Sequence, residues 1–107
     1  SLRSSLVTEE TFGPVAPVIR VNSIKQAIKI VNNSTYGLAG CIATEKKEEA
    51  TFYFESINVG QFNWNHQPGF RFEHAPFGGF GYSGNYQKEG LIMAADQYQK
   101  IRTFYKH

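Results

Sequence analysis

A single cysteine, Cys41, among 107 residues excludes an internal disulfide framework. No run approaches the roughly 20 consecutive apolar residues that a membrane-spanning helix needs, so a membrane is not an expected partner. Charge of one sign is equally scarce. Lys and Arg number 11 against 9 Asp and Glu, a net charge of +2, and no window gathers basic residues into a stripe able to track a phosphate backbone. Nucleic acid is therefore not an expected partner, and no metal site is expected. The opening segment, Ser1 to Ser5, lacks the apolar centre of a secretory signal. Together these absences predict a soluble protein of a reducing, cytoplasmic compartment. What remains, 41% hydrophobic and 15% aromatic residues, suffices for one modest core and at most one domain.

Apolar spacing then sets out the elements. Val15 to Val21 is rich in β-branched residues and predicts a strand, with Pro17 near its start or on an edge. Ser23 offers an N-cap oxygen and Gln26 follows three residues later, as in a capping box. Ile24, Ala27, Ile28 and Val31 recur on one helical face. Asn32 to Gly37 should stop that helix, because Asn, Ser and Thr compete for backbone hydrogen bonds and Gly accepts a left-handed backbone. Leu38 to Ala43 reads as a buried strand. Thr44 is placed to cap a second helix with Ala50, Tyr53, Phe54 and Ile57 on one face. Val59 to Trp64 gives a third strand, Glu89 to Tyr98 is compatible with a helix, and Gln99 to Tyr105 alternates as a terminal strand.

Strand, helix, strand, helix, strand with short connections predicts an α/β fold: a parallel sheet with right-handed crossover helices. Functional loops in such sheets lie beyond the carboxyl ends of the strands. The long connection Asn65 to Ser83 begins at that end. It holds Pro76-Phe77-Gly78-Gly79-Phe80-Gly81-Tyr82-Ser83-Gly84, where flexible glycines alternate with rigid rings that suit the wall of a planar ligand.

Three strings stand out in order along the chain: Glu9-Glu10-Thr11-Phe12-Gly13-Pro14, then Asn32-Asn33-Ser34-Thr35-Tyr36-Gly37-Leu38-Ala39, then Pro76-Phe77-Gly78-Gly79 with Ser83-Gly84 and Glu89-Gly90. Each alone is a weak signal. Their shared order, from about Val7 to Tyr105, resembles the aldehyde dehydrogenase superfamily. The resemblance implies a three-layer parallel α/β fold of which residues 1–107 are the C-terminal part of the catalytic domain, with residues 98–105 as a strand that joins subunits into a homo-oligomer. It further implies a parent enzyme that oxidises a small-molecule aldehyde to a carboxylic acid with NAD or NADP. In that family a cysteine adds to the aldehyde, hydride passes to the cofactor, and water activated by a glutamate releases the acid.

The same resemblance assigns candidate site residues. Glu10 would hydrogen-bond the ribose hydroxyls on the nicotinamide side of the cofactor, and Phe12 would pack beside the nicotinamide; otherwise the two glutamates are solvated charges before a turn. Phe77 resembles the aromatic residue lining the aldehyde tunnel, with core packing as the plain alternative. Asn65 to Ala75 would form the variable loop shaping the substrate pocket, where His66, Arg71 and His74 are placed to meet an acidic substrate group or simply to cover the surface. Cys41, within an apolar run, is expected to be a small core residue of its strand rather than the nucleophile. That nucleophile, its base and the dinucleotide-binding domain would lie before Ser1, and the chain alone would be inactive. A noncatalytic α/β binding or assembly domain is the alternative reading. Two departures from the family strings are visible. Gly81 stands where Lys is usual, and Asn85-Tyr86-Gln87-Lys88 is one residue longer than the common spacing, so the turn after Ser83 should differ locally.

Overall fold

A short parallel pair of strands, with the helix that connects them, forms the centre of the molecule, and residues 1–107 are all described in the computed structural model. The order is α1 (Ser5–Thr8), α2 (Ile24–Asn32), β1 (Tyr36–Gly37), β2 (Ala39–Ile42), α3 (Lys47–Ser56), β3 (Gln61–Trp64), β4 (Phe80–Gly81) and α4 (Leu91–Gln97). The α/β class is as expected.

Helix α2 begins as its sequence dictates. Ser23 Oγ accepts from the Gln26 amide at 3.2 Å, and Gln26 Oε1 accepts from the Asn22 amide at 2.8 Å, so the reciprocal cap reaches one residue further back than Ser23. Its end is tied across to the next helix. Asn32 Nδ2 donates to the Ser56 carbonyl at 2.7 Å while Asn32 Oδ1 accepts from the Asn58 amide at 2.9 Å. One side-chain amide thus satisfies both polar groups where the chain leaves α3.

Thr44 does not cap α3. Lys46 occupies the cap position without a side-chain bond, and Thr44 instead forms a turn before it, accepting from the Lys46 amide and donating to Glu49 Oε2 at 2.8 Å. The Thr44 hydroxyl, followed by the Lys46 ammonium, holds the Glu49 carboxyl below its ordinary range. Ala50 is the buried side chain of α3, and Ile57, which caps its end, is buried beside it. Tyr53 and Phe54 flank Phe62 of β3 with ring centroids 6.0 and 5.4 Å apart. Burial on this face pushes the Tyr53 phenol up.

Strands β2 and β3 pair in parallel, Gly40 opposite Phe62 and Cys41 opposite Asn63. Side chains alternate across a strand, so Gly40 and Phe62 face α3 while Cys41 and Asn63 face away. Here Cys41 departs from the expected core position: its side chain is exposed, because nothing in this chain covers that part of the sheet face. The sheet also departs from all-parallel pairing. β1 and β4 form a separate antiparallel pair, Tyr36 opposite Gly81 and Gly37 opposite Phe80, joining the expected helix stop Asn32 to Gly37 to the long connection Asn65 to Ser83.

Two expected strands are absent from the isolated chain. Val15 to Val21 pairs with no strand, with Val18 94% exposed, and residues 100–107 are coil with Ile101 and Phe104 bare. A strand needs a neighbour for its N–H and C=O groups, and this chain offers neither segment one. The same lack of cover sets the overall dimensions. The radius of gyration is 17.7 Å and the extents are 64 × 32 × 26 Å, whereas a compact chain of this length would have a radius near about 13 Å.

Candidate functional site

The loop beyond the carboxyl ends of β2 and β3 is anchored by amide side chains. Asn65 adopts a left-handed backbone, φ 55°, a conformation Asn tolerates better than most residues. Its Nδ2 donates to the Thr44 carbonyl and its Oδ1 accepts from the Thr44 amide, both at 2.9 Å, while Trp64 Nε1 donates to the same carbonyl at 2.8 Å. The chain then folds back along the face of the sheet opposite α3. Gln61 Nε2 and Asn63 Nδ2 each donate to the carbonyls of Pro68 and Phe70, at 2.6 to 3.0 Å. Four bonds to two carbonyls fix the segment immediately before Arg71.

Alternation along that segment sorts its side chains. The rings of His66, Phe70, Phe72 and His74 follow one another, with successive centroids 4.2, 5.3 and 5.7 Å apart. Arg71 turns the other way, its guanidinium carbon 4.6 Å from the centroid of Phe77. A cleft of about 250 Å³ opens beside it between Gly60 to Asn63 and Phe70 to Phe72. A wider cleft of about 580 Å³ between α1 and α2, bordered by Val7 and Ile30, shares no lining residue with it. None of the candidate residues lines the wider cleft, whereas Arg71 lines the smaller one.

Phe77 is held from behind as well. Its backbone pairs with Glu89 in an antiparallel bridge, the Phe77 amide donating at 2.7 Å and the Glu89 amide at 2.6 Å. Lys88, partly buried, reaches past this bridge to the carbonyls of Gly60 and Gly78. Of the candidate residues, then, Arg71 and Phe77 are brought together, and His66 and His74 stand in the neighbouring ring series. Glu10 and Phe12 lie apart in exposed coil before α2, Phe12 92% exposed, with no hydrogen bond to the Glu10 carboxyl. The Cys41 thiol has no hydrogen-bonding base either.

Lys88, Gln61, Asn63 and Asn65 carry no signal of this role in the sequence. Their partners are backbone carbonyls and amides, which every residue possesses. Only the glycines at 60 and 78 hint at a close approach of two chains.

A parallel βαβ unit, with a long aromatic-rich loop that leaves the carboxyl end of β3 and is bonded back along it, defines an α/β protein. Comparison with known proteins gives the family. The description "Aldehyde dehydrogenase family" matches residues 2–104, and the chain belongs to that family. It is 37% identical over 98 residues to a lactaldehyde dehydrogenase of Methanococcus aeolicus, covering 92% of this chain and 21% of the relative. Among solved structures, aldehyde dehydrogenase 21 of Physcomitrella patens, in complex with the reaction product succinate, superposes with a TM-score of 0.83 at 35% identity, covering 90% of this chain and 20% of that one. An aldehyde dehydrogenase of Mycobacterium tuberculosis in complex with NAD+ gives a TM-score of 0.75 at 32% identity over 84% of this chain and 18% of that one. The chain thus spans about a fifth of the length of the proteins it matches.

Proposed function

We propose that residues 1–107 are the C-terminal part of the catalytic domain of an NAD(P)-dependent aldehyde dehydrogenase, which oxidises an aldehyde to a carboxylic acid. The observation that carries the reading is the seat of Phe77: backbone bridged to Glu89, ring under the Arg71 guanidinium, with the following Gly78 packed on Gly60 just before β3. A ring held this way makes a fixed, water-excluding wall for a small substrate. Arg71 beside it is the group that would grip an acidic substituent on the aldehyde, and His66 and His74 would stand further along the same loop. The three-layer parallel sheet belongs to the complete protein, where Val15 to Val21 and the uncovered face bearing Cys41 find their neighbours.

The free groups before α2 fit a dinucleotide. Glu10 presents a carboxylate with both oxygens uncommitted, able to accept from two vicinal hydroxyls, and the bare ring of Phe12 two residues on offers a flat apolar contact. When bound, NAD or NADP supplies the hydride acceptor. Glu10 and Phe12 would hold its nicotinamide end still. The nucleophilic cysteine, the general base and the dinucleotide-binding domain would come from other parts of the complete enzyme. A cytoplasmic setting agrees with an unpaired, exposed Cys41.

The purified chain is accordingly expected to show no aldehyde-dependent reduction of NAD or NADP, while the complete protein shows it. In the complete protein Cys41→Ser should change kcat by less than about twofold. Turnover by the chain alone that disappears on Cys41→Ser would overturn the reading.

Homo-oligomerisation is the remaining part of the proposal. Within residues 98–105 the backbone from Lys100 onward is unpaired, and as a strand it would place Ile101, Thr103 and Tyr105 on one side, the condition under which strands recruit a partner. The isolated chain should therefore self-associate. Sedimentation velocity across a concentration series checks this, and a single monomeric boundary at every concentration would refute it.

A further inference from the structure

The environment of Lys88 is unusual for a lysine. Its ammonium donates to the Gly60 carbonyl at 2.8 Å and to the Gly78 carbonyl at 2.5 Å, and lies 4.8 Å from the centre of the Phe80 ring. The two glycines are pressed together, since a Cβ on Gly60 would fall 1.8 Å from the Gly78 carbonyl oxygen. Carbonyl dipoles that converge at such close quarters repel one another and lose water. A group with several N–H donors and a positive charge relieves both costs at once.

The segment that carries Lys88 also carries Glu89, whose backbone pairs with Phe77 in both directions. Phe77 is therefore gripped at two successive points, its own peptide by Glu89 and the next carbonyl by Lys88. Gly60 stands at the head of β3, so the second grip refers the position of Phe77 to the parallel sheet. Without the ammonium, nothing else in the chain bridges Gly60 to Gly78 by a side chain.

From this geometry we infer that Lys88 is a positioning residue, which holds the Phe77 ring against Arg71 at the edge of the cleft by locking the Gly78 carbonyl to Gly60, the residue before β3. The inference rests on the proposed role of Phe77 as the wall of the aldehyde site. Lys88 itself touches no substrate; it acts through Phe77.

A double-mutant cycle in the complete protein tests it. Lys88→Met keeps the length of the stem and removes every donor. It should lower kcat/KM for the aldehyde about tenfold through displacement of the ring, with the dissociation constant for NAD or NADP unchanged. Lys88→Arg, which restores a cation with several donors, should recover most of that loss. In a Phe77→Ala background Lys88→Met should have almost no further effect. Should Lys88→Met fail to fold, Lys88→Gln, with two N–H donors and no charge, enters the same cycle.

Additive losses from Lys88 and Phe77 would overturn the inference alone, leaving Phe77 as the wall. A Phe77→Ala protein with wild-type aldehyde kinetics would overturn the wall, and the inference with it. Wild-type kinetics for Lys88→Met would show that the Glu89 bridge suffices to place Phe77, which also defeats it.

Discussion

Replacing Glu10 by Gln in the complete protein is expected to slow hydride transfer by about a hundredfold, the loss typical of a reacting group displaced by about an ångström. A carboxylate accepts hydrogen bonds through both oxygens and can hold two neighbouring hydroxyls at once; Gln keeps the shape but turns one acceptor into a donor. The grip on a ribose diol is thereby halved, and the nicotinamide end gains freedom to swing. Because Glu10 is exposed and makes no bond within the chain, the fold should be untouched and cofactor affinity should fall far less than the rate. Single-turnover measurements with protiated and C1-deuterated aldehyde check this. The variant should display a larger isotope effect as the hydride step becomes limiting. A rate and isotope effect equal to those of the unaltered protein would remove Glu10 from the cofactor site.

The second large effect concerns substrate choice. Arg71→Ala should reduce kcat/KM by about 10- to 100-fold for an aldehyde with a carboxylate or sulfonate at its far end, the usual worth of a charge-assisted bidentate contact. An uncharged aldehyde of equal length should lose less than about threefold, the part owed to the lost guanidinium packing on Phe77. The discrimination should shrink as salt is raised, since Arg71 is exposed and its field is screened over about 8 to 10 Å at moderate ionic strength. Equal losses for the two aldehydes would mean that Arg71 serves only to seat the Phe77 ring. Parallel substitutions of His66 and His74 are expected to matter less, because both rings pack on Phe70 or Phe72 and neither lines the cleft beside Arg71.

How much of this was legible in the residues depends on where each element finds its partner. The start of helix α2 was readable to the residue, because Ser23 and Gln26 settle it through bonds made within a few positions of one another, while its end falls within the expected stop Asn32 to Gly37. Strands β2 and β3 were readable because an apolar run between turn signals is itself a strand signal. Val15 to Val21 has the same composition and forms no strand here, since pairing is a property of two segments and only one is present. Cys41 shows the complementary limit. An apolar run reveals that a strand is there, but which of its faces is covered depends on what packs against it. The pairing of β1 with β4 joins residues over 40 positions apart, and no local pattern announces it.

The candidate site divides in the same way. Phe77 and Arg71 were legible as residue types in a loop of the right kind, and the loop's glycines announced close backbone approach. The supports were not. Gln61, Asn63 and Lys88 act on carbonyl oxygens, so their roles become visible only when the backbone that presents those oxygens has been placed. Glu10 and Phe12 were named from resemblance alone, and the isolated chain gives them no neighbour.

The bare rings and aliphatic chains along this elongated molecule, among them Val18, Ile92, Ile101 and Phe104, bear on how the chain would join the rest of its protein. Docking would hide oily surface on the scale of a folding reaction rather than that of two finished surfaces meeting. Calorimetry of such a union should then carry a strongly negative heat-capacity change, with a driving force that is largely entropic at room temperature. A split version of the enzyme would consequently fall apart in the cold before it did so at moderate warmth, where the aversion of water for those side chains is stronger.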